Sequence, residues 1–160
     1  MKITLEFAKS KGACADGLAW FEAKFGLEAD YQLTLDTLAD ERKIDWARWL
    51  LKAIGPTAEV LTIDGPTNTR AHIIAAGHLV IAGNLAVSGS VQAGEGIEAG
   101  LSISCNGIVF SSLRIFAGVC GWRIPTADEQ RIVCTQVNGI VAHGTLQLAP
   151  AATPEPTVTP

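Results

Sequence analysis

Charge is scarce along much of this chain. Residues 71–113 carry only Glu95 and Glu98 as charged side chains and a single aromatic ring, Phe110. Carbohydrate-binding or -cleaving surfaces need acidic and aromatic clefts, so that class is disfavoured. The whole chain has a net charge of −4. That argues against direct nucleic-acid binding, which needs a basic surface to release counterions. Two carboxylates along the repeat are also too few for a mimic of DNA phosphates. No apolar run approaches a membrane span, and the opening MKITLEFAKSKG lacks the long apolar segment of a secretory signal. The expectation is a cytoplasmic protein with no membrane contact. Four cysteines occur with no CxxC spacing, so reduced, buried thiols are expected and no metal site. P-loop, GxSxG and HExxH motifs are missing, and GEG at 94–96 is followed by no helix that would make it a phosphate cradle. No cofactor and no catalytic residue is expected, and the chain is read as a non-enzyme.

Charge is instead concentrated at the start. Residues 1–60 hold eight Lys/Arg and ten Asp/Glu, against four and six in the remainder. This third of the chain reads as helical. In MKITLEFAKSKG, Thr4 can cap a helix and Gly12 stop it, with Ile3 placed to staple onto Ala8, although alternation of Ile3, Leu5 and Phe7 also fits a strand. In ACADGLAWFEAKFG, Cys14, Leu18, Phe21 and Phe25 share a helical face that Gly26 ends, with Trp20 off it. Tyr31, Leu35 and Leu38 fit a short helix. In DWARWLLKAIG, Asp45 is the expected cap, Gly55-Pro56 the stop, and Trp46, Trp49, Leu50, Ala53 and Ile54 the apolar stripe. Core packing is the first expectation for the tryptophans; Trp20 is a candidate plug for the open end of the C-terminal repeat region, and a candidate anchor for a partner.

From residue 73 the sequence beats in sixes. Ile73, Leu79, Leu85, Val91, Ile97, Ile103, Val109 and Ile115 are all aliphatic, and the residues two places later are small or apolar. Six steps of 100° do not return to one helix face. The period fits a parallel β-helix with three hexads to a triangular coil. Ile73 should then stack with Val91 and Val109, Leu79 with Ile97 and Ile115, and Leu85 with Ile103. Leu61 and Ile63 extend the phase backwards, and Cys134, Ile140 and Leu146 are expected to resume it. Glycines at the corners are expected to admit the left-handed or otherwise strained backbone that a sharp bend needs. The fold class is α+β: a helical cap domain at 1–55, a parallel β-helix of about five coils at 56–148, and a Pro/Thr/Ala-rich disordered tail at 149–160. At a strand spacing of ~4.8 Å the coils stack to only about 24 Å. Their ends would be exposed, which predicts capping by the helices at one end and cover by the last segment or by a second subunit, most simply in a two-fold dimer, at the other.

The beat breaks at GWRIPTADEQRI, residues 121–132. This reads as a loop leaving the coil. Its Trp122, Arg123, Asp128, Glu129 and Arg131 are the candidate partner contacts, because interface energy concentrates in tryptophan and arginine. The competing reading is that Trp122 folds back to seal the coil.

GACADGLAWFEAKFG followed by DWARWLL, with the IEAG, LSI and LRIFAGVCGWR runs at Ile97–Ile103 and Leu113–Arg123, resembles a family of uncharacterised phage and prophage proteins. The repeats alone resemble bactofilin-like polymer-forming β-helices, through spaced aliphatics and glycines. The first resemblance carries no function of its own; taken with the lack of catalytic groups, it leads to the expectation of a non-enzymatic phage or mobile-element protein that occupies a host protein complex, such as an anti-CRISPR or anti-restriction inhibitor. The second implies a self-assembling scaffold. A hexapeptide-repeat acyltransferase is the third reading. It is disfavoured because His72 and His78 fall on neighbouring sides of one coil, the position a coil after His72 is Ser90, and His143 lies in the last coil.

Overall fold

The computed structural model describes residues 1–150. Residues 151–160 of the expected tail lie outside the described residues. MKITLEF is both strand and helix: β1 (Lys2–Thr4) pairs antiparallel with β2 (Glu28–Asp30) and runs directly into α1 (Leu5–Ser10). Thr4 Oγ1 accepts the Phe7 N–H at 3.1 Å, as an N-cap does. α2 (Ala15–Phe25) starts after Cys14, whose Sγ accepts the Gly17 N–H at 3.3 Å, and ends at Gly26. α3 (Tyr31–Asp40) is capped by Asp30 Oδ1, which accepts the Leu33 N–H at 3.1 Å.

α4 (Ile44–Ile54) begins earlier than expected. Lys43 is the N-cap, without a side-chain cap bond, and Asp45 lies in the first turn. The cause is the preceding turn: Arg42 takes a left-handed φ of 59° and Lys43 donates its N–H to the Leu38 carbonyl at 2.8 Å, which delivers Lys43 to the helix start. Asp45 still sits where a carboxylate favours the helix dipole.

The helices bury Ile3, Phe21, Tyr31, Leu35, Leu38, Ala47, Leu50 and Leu51 in one core. Trp20 belongs to this cluster and plugs no coil. Its ring stands edge-on to Phe25 and Trp46, with centroids 5.7 and 6.0 Å away, and its Nε1–H donates to Glu41 Oε2 at 2.7 Å. Local aromatic partners and a hydrogen-bond acceptor on the α3–α4 turn hold it before the coil can.

The remaining strands are β3 (Val60–Ile63), β4 (Ile73–Ala75), β5 (His78–Ile81), β6 (Leu85–Val87), β7 (Val91–Ala93), β8 (Ile97–Ala99), β9 (Ile103–Cys105), β10 (Ile108–Ala117), β11 (Arg131–Cys134), β12 (Gln136–His143) and β13 (Thr145–Leu148). They wind into about five parallel coils with three faces. One face stacks β4, β7, β10 and β12; the second β3, β5, β8, β10 and β12; the third β6, β9, β11 and β13. The register is the one the hexads predict: Ile73 on Val91 on Val109, Leu79 on Ile97 on Ile115, Leu85 on Ile103. These ladder residues are buried and form a single aliphatic core. At ~0.8 kcal/mol per buried methylene this stack is the main stabilising element of the coils.

Two expectations about the coils need correction. Most corner glycines are not left-handed; of those in the repeat, Gly118 has a positive φ, whereas Gly94 and Gly100 do not. They are required by close approach instead. A Cβ on Gly94 would lie 2.1 Å from the Ala76 carbonyl oxygen, and one on Gly100 2.0 Å from that of Ala82, each one coil below. The phase after the loop also differs. Ile132, not Cys134, stacks on Ile103, and Leu146 stacks on Ile132. Val137 and Val141, not Ile140, continue the ladders above Val109 and Ile115, leaving Ile140 exposed. The last coil is shortened, and register shifts in the β10–β12 pairing absorb the difference.

The helical module meets the coils at β4. Gln32 of α3 donates its Nε2–H to the Ile74 carbonyl at 2.7 Å and accepts the Ala76 N–H on Oε1 at 2.9 Å. One side-chain amide thus replaces the strand that β4 lacks on its outer edge. Ile74 and Ala76 complete the helical core rather than the coil core.

Candidate functional site

The loop between β10 and β11 leaves the coil after Ala117 and returns through a single 3-10 turn at Asp128–Gln130. Thr126 and Glu129 form a reciprocal cap: Glu129 Oε2 accepts the Thr126 N–H at 2.9 Å and Thr126 Oγ1 accepts the Glu129 N–H at 3.3 Å. The same carboxylate accepts from Nη1 and Nη2 of Arg123, at 2.7 and 2.8 Å. Arg123 and then the Thr126 N–H hold the Glu129 carboxyl down at about 2. Arg131 pairs with Asp128, and Gln130 Nε2–H donates to the Pro125 carbonyl at 3.0 Å.

The four charged residues expected as partner contacts are therefore brought together, bracing one another. Trp122 is not folded back over the coil; it is 72% exposed, and Ile124 beside it is 91% exposed. Sequence reasoning passed over Ile124. An isolated aliphatic residue in a polar loop carries no signal until its side chain is seen to have no inward partner. Trp20, the sixth candidate, lies in the helical core and not beside this loop.

Two of the three histidines, His72 and His143, are hydrogen-bonded to backbone groups. His72 Nδ1 accepts the Ser90 N–H at 2.9 Å, so that nitrogen is unprotonated, and burial lowers its pKa. His143 Nδ1 lies 2.6 Å from the Ala117 carbonyl, and His78 Nε2 lies 4.0 Å from Glu98. All four cysteines are free; burial pushes the Cys105 thiol up to about 11, where it is a poor nucleophile. Among the described residues no three His, Cys, Asp or Glu side chains gather to hold a metal ion, and no helix is long and apolar enough to cross a membrane.

A concave feature lies within the helical module. It is an apolar cleft of about 250 Å³ between α1, α2 and the α3–α4 pair, with Cys14, Leu18, Trp20, Trp46 and Trp49 on its walls. No charged side chain lines it. No curated protein and no solved structure matches the chain. Residues 1–54 match the YdhT N-terminal domain family, so the helical module that carries this cleft and caps β4 is similar to that domain, and the match stops where the coils begin.

Proposed function

We propose that this chain is a non-catalytic binding protein that engages a protein partner through the β10–β11 loop. The observation that carries the reading is the exposure of Trp122 and Ile124 on a loop whose own charges are spent on bracing it. A rigid apolar tip loses little conformational entropy on docking, and tryptophan is the residue type most enriched at interface hot spots. The coil faces are bland, and His72 and His143 are hydrogen-bonded to backbone groups of neighbouring coils, which supports a binding role over a hexapeptide-repeat acyltransferase. The partner class we infer, from the resemblance to phage and prophage proteins, is a host protein complex whose activity the chain blocks, as an anti-defence inhibitor would.

The scaffold reading has less support. A head-to-tail filament needs both coil ends free, and Gln32 already occupies the edge of β4.

The test is Trp122→Ala with Ile124→Ala. Both side chains are solvent-exposed, so the melting temperature should stay within about 2 °C while capture of a specific host protein falls at least tenfold. Equal capture by wild type and variant would sink the loop as the contact site. A large fall in melting temperature would show that the pair is structural.

A further inference from the structure

The last coil is built like the core, but among the described residues no coil lies above it. Leu146 stacks on Ile132 and Leu148 on Cys134, both of which are fully buried, yet Leu146 is 42% exposed and Leu148 59%. Among the described residues no strand pairs with the outer edge of β12 or of β13. The β13 edge is regular: all four of its residues keep register with β11. Ala149 donates its N–H to the Cys134 carbonyl. By alternation, the backbone groups of Leu146 and Leu148 then turn to the open edge.

Such an edge is commonly guarded by charge. Here residues 132–150 contain no Lys, Arg, Asp or Glu. An isologous contact sets each group near its own image, so a charged end would repel itself and this one does not. At the other end, α3 and its Gln32 bonds stand where a further strand on β4 would lie. A second chain's last coil cannot stack flush there.

We propose that the C-terminal coil docks a second copy of this chain, end to end across a two-fold axis, through β13 paired antiparallel with its own image. Centring the pair on Gln147 sets Leu146 opposite the partner's Leu148, where both turn hydrogen-bonding groups outward. Gln147 then meets the partner's Gln147. The two-fold closes the assembly at two copies. The proposal is independent of the β10–β11 loop.

The test uses charge at the image position. Gln147 is exposed and on the outward row above Val133, so Gln147→Lys and Gln147→Glu should both fold. By sedimentation at about 100 µM the wild type should be a dimer. Each variant alone should be a monomer, and an equal mixture of the two should regain the dimer. Rescue on mixing separates this contact from a folding defect. Three results would overturn the proposal: a monomeric wild type; variants that dimerise as well as wild type; or open fibres. If the full chain is monomeric and a chain ending at Pro150 dimerises, residues 151–160 occupy the end instead and the proposal is equally overturned.

Discussion

Gln92 is the residue most at odds with its surroundings. It lies between Ile74 and Phe110 in register, is 1% exposed, and neither its Oε1 nor its Nε2 has a partner. A buried amide left unpaired costs about 1–3 kcal/mol. Methionine has a similar shape and no strong polar group to desolvate. Gln92→Met should therefore raise stability by about 1 kcal/mol in denaturant titration; a loss of stability would mean that the amide has a bonding partner in solution. His72 is the opposite case, a polar side chain whose Nδ1 joins two coils by accepting the Ser90 N–H. Its folded pKa is depressed, so the unfolded chain binds the proton more readily. Stability from this group is present above the ordinary histidine value of about 6.5 and is lost as pH falls through the folded value. Thermal unfolding should show stability declining as pH drops below about 6.5, and the slope should flatten in His72→Asn.

The β10–β11 loop shows how an element without regular structure is made rigid. Glu129 is its hub, accepting from Arg123, from the Thr126 N–H and, through the reciprocal cap, orienting Thr126. Arg123 is exposed and Glu129 only half-buried, so the contribution of this pair to global stability is small. Its effect is local order. Glu129→Gln should leave the melting temperature unchanged but speed amide hydrogen exchange across residues 121–130. Unchanged exchange would mean that the loop is held by something other than this network.

For the whole molecule, the helical module and the coils depend on each other unequally. The coils carry their own aliphatic core, whereas the outer edge of β4 and the side chains of Ile74 and Ala76 are covered by the helices. A fragment beginning at Gly55 should keep its strands by circular dichroism yet scatter light on standing, because an unpaired edge and an apolar patch are uncovered. A soluble fragment as stable as the full chain would show that the helical module does not protect the coils.

The six-residue beat was enough to read the coils, their ladders and their register up to Ala117. That is because each hexad repeats the same local backbone geometry and each aliphatic position faces the same axis. Thr4 and Gly26 were equally legible, since caps and stops act within one turn. What lay beyond reach depends on contacts distant in sequence. Ile132 rather than Cys134 rejoins the ladder because the coil below, not the residue count, sets where the chain re-enters. Trp20 turns to Phe25, Trp46 and Glu41 because α3 and α4 fold back onto α2. Arg123, Asp128, Glu129 and Arg131 were visible as charges, but only their geometry makes them braces and leaves Trp122 and Ile124 as the tip. That Gln32 covers the edge of β4 while no described strand covers that of β13 was likewise decided by how the two modules pack, since similar strands differ only in what lies beyond them.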